Sequence, residues 1–282
     1  MKEKITPCLW FDGQARDAAN LYCAVFAEAK ITLQTPIVTE INVSGQSITL
    51  LDGGPMYKPT PSISFYYLCE DEQELNKIWN AFSAAGEVIM PVDKYPWSER
   101  YGWVTDKFGI SWQLSVGTLN DAGQKITPCF MFSGEQCGRA EEAITFYSSV
   151  FNNPTIDRIL RYQANESPNK QGAVKQAQVT FNGQKFMLMD SALEHDFNFT
   201  EGVSLTVYCE TQEEIDYYWD KFTESGEESR CGWLKDKFGV SWQIIPTILG
   251  KLMSDPKKAG KAAKAFMSMR KLNIEQIVQA TI

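Results

Sequence analysis

Apolar runs and helical stripes alternate along this chain in one repeating order. ITPCLWF, residues 5–11, reads as an apolar strand. It is followed by 14–26, where Ala15, Ala18, Ala19, Tyr22 and Phe26 fall at helical spacing. ITLQTPIVTEI and QSITLLD are rich in β-branched residues, with turn signals at Ser44-Gly45 and Gly53-Gly54-Pro55. The rhythm then starts again: a strand at 62–69, a helix at 72–85 with Leu75, Ile78, Trp79 and Phe82 on one face, and strands at 87–91, 102–105 and 110–116. The last two are joined by the Asp106-Lys107-Phe108-Gly109 turn.

The whole series recurs. ITPCLWFDGQARDAANLYCAVF returns from Ile126 as ITPCFMFSGEQCGRAEEAITFYSSVF, with a short insertion near Cys137. NVSGQSITLLDG from Asn42 returns as TFNGQKFMLMDS from Thr180, and the strand and helix from Ser62 return from Val203. In RYGWVTDKFGISWQ from Arg100 and RCGWLKDKFGVSWQ from Arg230, 10 of 14 positions are identical. The repeats define two halves, 1–122 and 123–250, each βαβββ twice, and a tail at 251–282. The expected fold is therefore α+β: four βαβββ modules and a C-terminal helix.

The opening strand and helix, the terminal GWVTDKFGISWQ and the tail ending KAFMSMRKLNIEQIVQA together resemble the PhnB-like branch of the vicinal oxygen chelate superfamily. That branch is related to glyoxalases, bleomycin-resistance proteins and extradiol dioxygenases, and often carries a demethylubiquinone methyltransferase-like label. The resemblance implies that the duplication is a dimer fused into one chain, which could pair further as a homodimer. It also implies that the modules form cupped mixed sheets, closing as two cups. In metal-using relatives each cup grips one ion through four side chains, from the first and last strands of its modules.

Counted onto this chain, those ligand positions are Pro7, Thr49, Ser62 and Gln113 in the first half and Pro128, Met187, Gly202 and Gln243 in the second. None is His, Asp, Glu or Cys. A hard divalent ion needs several anionic or imidazole donors, so the expectation is no metal and no cofactor. Residues of matching parity should line the cups: Leu9, Phe11, Ser64, Tyr66, Trp103, Ser111 and Gln113, then Phe130, Phe132, Ser204, Thr206, Trp233, Ser241 and Gln243. Such a lining suits a small apolar or aromatic molecule. Trp112 and Trp242, of opposite parity, should pack on helices.

Acid–base candidates are sparse. Asp52 and Asp190 end equivalent strands and read as capping groups; Asp106 and Asp236 read as turn formers. Arg100 and Arg230 could clamp an anion at a cup rim or pair with Glu99 and Glu228. The single histidine, His195, lies in a polar loop and reads as solvent-exposed. One histidine excludes zinc and iron mechanisms that need two or more. The seven cysteines never form CxxC and read as reduced, buried hydrophobes. No GxSxG, GxGxxG or Walker-type loop occurs.

A net charge of −8 opposes binding to nucleic acid or to an anionic membrane. With no membrane-length apolar run and no secretory signal in MKEKITPCLW, the cytoplasm is the default. The tail differs, with seven basic and two acidic groups and an amphipathic stripe of Ala262, Phe266, Met269 and Leu272. It reads as a helix docked on its domain, with an interaction helix as the alternative.

Three functions fit. The first is a binding protein that holds a small molecule in an aromatic cup without metal. The second is a glyoxalase- or dioxygenase-type enzyme with a divergent site, such as an Asp190–His195 pair. The third is a structural or regulatory protein whose cups have filled with side chains. The methyltransferase label has no glycine-rich strand-to-helix turn to support it.

Overall fold

A computed structural model describes residues 4–119 and 123–282. The expected boundary between halves, at 122, falls in 120–122, outside the described residues, as do residues 1–3 of the opening segment.

Four βαβββ modules follow one another. The first is β1 (Ile5–Phe11), α1 (Ala15–Val25), β2 (Ala29–Gln34), β3 (Val38–Val43) and β4 (Gln46–Asp52). The second is β5 (Ile63–Cys69), α2 (Glu72–Ser83), β6 (Glu87–Tyr95), β7 (Ser98–Thr105) and β8 (Ser111–Val116). The third is β9 (Ile126–Phe132), α3 (Ala140–Val150), β10 (Thr155–Arg161), β11 (Val174–Phe181) and β12 (Gln184–Asp190). The fourth is β13 (Val203–Cys209), α4 (Gln212–Thr223), β14 (Glu227–Glu228), β15 (Trp233–Lys235) and β16 (Ser241–Pro246). The chain closes with α5 (Thr247–Ser254), α6 (Ala259–Met267) and α7 (Ile274–Ala280).

The polypeptide forms two compact units, residues 7–203 and residues 1–6 with 204–282. In the larger unit, the second and third modules share one eight-stranded sheet, ordered β10-β11-β12-β9-β5-β8-β7-β6. The seam is the antiparallel pair β5 and β9, with Ser64 opposite Cys129. Within each module the first and last strands run parallel, as in β5 with β8 and β9 with β12. This unit also holds the first module, ordered β1-β4-β3-β2. In the smaller unit the strand order is β14-β15-β16-β13.

Local chemistry fixes the helices. Asp71 caps α2 by accepting from the Glu74 amide at 2.8 Å, while Glu74 Oε2 accepts from the Glu70 amide at 2.8 Å. Thr211 and Glu214 repeat both bonds at α4. The KITPC lysines complete the pattern: Lys125, 5% exposed, reaches Glu74 at 3.1 Å, and Lys4 reaches Glu214 at 2.6 Å.

The repeated tryptophans of the two closing strands, Trp112 and Trp242, lie in the helix-side cores, as expected. Trp112 is fully buried among Tyr22, Phe26, Phe65 and Phe82. Trp242 stacks on Phe222 of α4 with centroids 4.6 Å apart. The tail is helical but broken into three pieces. Leu249, Leu252, Ala262, Leu272 and Ile277 make one buried cluster, with Phe266 and Met269 packed against it. Among the described residues, no helix is long and apolar enough to cross a membrane.

Candidate functional site

Strand register decides which side chains share the face opposite the helices. In the eight-stranded sheet, Tyr66 and Trp103 each stand opposite Gln113, and Tyr101 stands opposite Ser115. Ser64, two residues before Tyr66, has the same facing. Hydrogen bonds confirm the grouping. Gln113 Nε2 donates to Ser64 Oγ at 2.8 Å, and the Tyr101 hydroxyl donates to Gln113 Oε1 at 2.8 Å. Trp103 Nε1 donates to Ser111 Oγ at 2.7 Å. Ser64, Tyr101, Ser111 and Gln113 are all buried. Burial raises the hydroxyl pKa values of Tyr66 and Tyr101, so both stay neutral donors at pH 7.

Tyr101 is the inner member of an aromatic cluster carried by the β6–β7 hairpin. Tyr95 and Trp97 stack with centroids 5.1 Å apart, and each meets Tyr101 edge-on, at 5.6 and 5.8 Å. Trp97 is 56% exposed. An aromatic path therefore leads from solvent to the Gln113 amide. The expected strand at 87–91 ends too early to include it; β6 runs on to Tyr95.

In the smaller unit the equivalent face carries Ser204, Thr206, Trp233, Ser241 and Gln243. Ser204 is opposite Ser241, while Thr206 and Trp233 are both opposite Gln243. Gln243 Nε2 donates to Ser204 Oγ at 3.0 Å, repeating the Gln113–Ser64 bond.

Four expected lining residues lie on the other face. Phe130 packs near Tyr147 of α3 and stacks with Phe186, and Phe132 meets Phe199. Phe11 meets Phe108, itself in contact with Tyr22 of α1, and Leu9 is fully buried opposite Leu50. The phase on β1 and β9 is thus shifted by one residue. The sheet face carries Cys129 rather than Pro128, and Cys8 rather than Pro7.

The ligand quartet shifts accordingly. In the eight-stranded sheet the face-sharing positions are Ser64, Gln113, Cys129 and Met187, the last two being register partners. Ser62 instead donates to the Asn198 carbonyl at 3.0 Å. Gly202 has no room for a side chain, since a Cβ there would stand 2.1 Å from the Lys58 carbonyl carbon. A hydroxyl, an amide, a thiol and a thioether do not fit a hard divalent ion. Among the described residues, no group of three or more His, Cys, Asp or Glu could hold a metal.

The titratable candidates serve structure. Asp106 accepts from the Tyr22 hydroxyl at 2.7 Å, from Trp112 Nε1 at 3.0 Å and from the Phe108 and Ile110 amides. Asp236 accepts from Trp242 Nε1 and the Phe238 and Val240 amides. Asp52 holds the Ala15 amide at the start of α1, and Asp190 holds those of Gly138, Ala140 and Val174. Arg100 faces Glu72 at 3.8 Å, while Glu99 pairs with Lys94 and Glu228 with Arg270, against the expected pairing with Glu99 and Glu228. His195 is not a free loop histidine. It is half-buried, stacked on Phe197 at 4.8 Å, with Nε2 2.8 Å from Ser191 Oγ. Asp190 spends its carboxylate on backbone amides, so no Asp190–His195 pair forms.

Comparison with known proteins gives these features a lineage. The family model described as 3-demethylubiquinone-9 3-methyltransferase matches twice, over residues 3–115 and 124–245. A putative 3-demethylubiquinone-9 3-methyltransferase, PhnB protein, from Bacillus cereus is 30% identical, covering 40% of this chain and 99% of its own, with a TM-score of 0.39. Glyoxalase I from Zea mays is 12% identical, covers 90% of this chain and 96% of its own, and has a TM-score of 0.58. No curated protein matches. The chain belongs to the 3-demethylubiquinone-9 3-methyltransferase family and carries the family's domain twice in tandem.

Proposed function

We propose that this protein binds a small, uncharged, aromatic or largely apolar molecule on the cup face of its sheet, without a divalent metal. The observation that carries this is the neutral network of Ser64, Gln113 and Tyr101 beneath the Tyr95–Trp97 stack. Its groups are hydroxyls, an amide and aromatic rings, which orient a neutral ligand and leave a charged one unpaired. Trp103 and Ser111 extend the same face, and Ser204, Thr206, Trp233, Ser241 and Gln243 offer a second set of the same chemistry.

The methyl transfer in the family's name draws no support from this chain. The nucleotide-type cofactors of that chemistry sit at the glycine-rich turn of a doubly wound sheet. Here each module's α-helix leads to a run of three strands.

Titration of the full chain with a panel of neutral aromatic metabolites and drugs tests the reading. The expected result is a change in tryptophan emission, insensitive to EDTA, with thermal stabilisation of about 2.7 kcal/mol at a hundredfold excess over Kd. A panel giving neither effect overturns it. That outcome would favour a second reading, a cup filled by its own side chains, to which the burial of Ser64, Ser111 and Gln113 lends support.

A further inference from the structure

Where metal-using relatives would place hard ligands, one wall of the cup face is made of sulfur. Cys129 is the register partner of Met187, and Met131 of Met189, on the adjacent parallel strands β9 and β12. Paired residues on parallel strands point to the same side, and Cys129 Sγ lies 3.8 Å from Met189 Sδ. All four side chains therefore share one face. The opposite face of the same strands carries Phe130, Phe132, Phe186 and Leu188 and no sulfur.

Composition does not account for this. Seven cysteines and nine methionines are spread over 282 residues, yet four successive facing positions here all carry sulfur. The duplicated strand pair supplies a comparison, for β1 and β4 place Cys8 against Thr49 and Trp10 against Leu51. The geometry has a simple reading. A thiolate holds a metal at about 2.3 Å, and two sulfurs at that distance from one ion, at a tetrahedral angle, stand about 3.8 Å apart. Thioethers and thiolates select soft ions and give hard ones little. Cys129, Met131 and Met187 are buried, while Met189 is half-exposed and leaves the wall open to solvent.

We propose that the β9–β12 wall is a binding site for a soft monovalent cation of the Cu(I) class, held by Cys129 and Met189 with Met187 and Met131 completing the sulfur set. Binding forms the Cys129 sulfur–copper bond and releases the thiol proton to solvent; the copper stays Cu(I) throughout, so no oxidant or reductant enters. The site adjoins the Gln113 network, since Cys129 stands opposite Ser64 and lies within hydrogen-bond reach of Ser64 and Gln113, but the copper is held by the β9–β12 sulfurs and not by that amide.

The test is anaerobic Cu(I) titration of the full chain against a colorimetric Cu(I) chelator. The background carries Cys23→Ala, Cys137→Ala and Cys231→Ala, which removes the half-exposed lone thiols. One Cu(I) per chain, with X-ray absorption reporting sulfur ligands at about 2.3 Å, is the expected result. The Met187→Leu/Met189→Leu variant should lose at least tenfold in affinity, Cys129→Ser should lose retention altogether, and Cys8→Ala should change nothing. Circular dichroism of each variant separates lost binding from lost fold. No retention against the chelator overturns the proposal, and so does retention unaltered by the methionine substitutions. Loss of copper with the ligand-induced fluorescence change intact leaves the neutral-ligand reading standing.

Discussion

Gln113 and Ser64 are joined side chain to side chain at 2.8 Å across the parallel strands β8 and β5, and Gln243 and Ser204 are joined in the same way at 3.0 Å. The amide of Gln113 also accepts from Tyr101, so it satisfies two buried groups at once. Gln113→Leu should therefore destabilise the chain by about 2 kcal/mol or more, through a hydroxyl left without its partner. It should also weaken the ligand response of the tryptophan emission. Urea denaturation and fluorescence titration check the two effects independently.

Asp106 is expected to give the chain a measurable pH signature. Burial raises its carboxyl pKa in spite of the bonds from Tyr22, Trp112, Phe108 and Ile110. Between the ordinary carboxylate value and this raised one, the folded state binds more protons than the unfolded chain. The contribution of Asp106 to stability thus declines as pH rises through that window. Asp106→Asn should remove this part of the slope in a Tm-against-pH series. It should also cost about 3 kcal/mol, since the amide turns a donor toward Trp112 Nε1, which can only donate.

Burial acts in the opposite direction on His195, lowering its pKa. The unfolded chain then binds the extra proton on acidification, and the folded state loses stability as pH drops through the ordinary histidine value. Thermal melts at pH 7.5 and 5.5 should differ less in His195→Gln than in the parent protein. An unchanged difference would mean that other groups set the acid limb.

Gly86 and Gly226 occupy the same steric position in their modules. A Cβ on Gly86 would stand 2.1 Å from the Thr105 carbonyl oxygen and 2.5 Å from that of Phe82. On Gly226 it would stand 2.1 Å from the oxygen of Lys235 and 2.4 Å from that of Phe222. Backbone cannot give way as a side chain can. Gly86→Ala and Gly226→Ala should each cost about 3 kcal/mol, at the upper end for overpacking, and to a similar extent. Differential scanning calorimetry of the two variants checks both the size and the match.

Much of the element order was legible because duplicated sequence repeats its own periodicity and turn chemistry. The DKFG turns behave as their aspartates suggest, and Trp112 and Trp242 take the helix side. The phase of β1 and β9 was not legible, for a physical reason. β9 is buried at all seven positions and β1 at six of seven, so neither strand alternates apolar with polar. Parity counted from Pro7 and Pro128 had nothing to correct it. That single-residue slip moved Leu9, Phe11, Phe130 and Phe132 onto the wrong face and hid Cys129. Tyr95, Trp97 and Tyr101 do not stand out in the sequence as a group because a long hairpin with register shifts gathers them. The partners of His195, Ser191 and Phe197, come from the loop's own folding, which the sequence pattern does not show.

The contrast between the sulfur wall of β9 and β12 and its counterpart on β1 and β4 has an evolutionary reading. In an assembly of two identical polypeptides every substitution arrives in both copies, so a pocket and its twin must change together. Joining the copies end to end lifts that obligation. The sulfur pairs of β9 and β12 and the Cys8–Thr49 and Trp10–Leu51 pairs of β1 and β4 are thus free to differ within one chain, as two identical polypeptides could not.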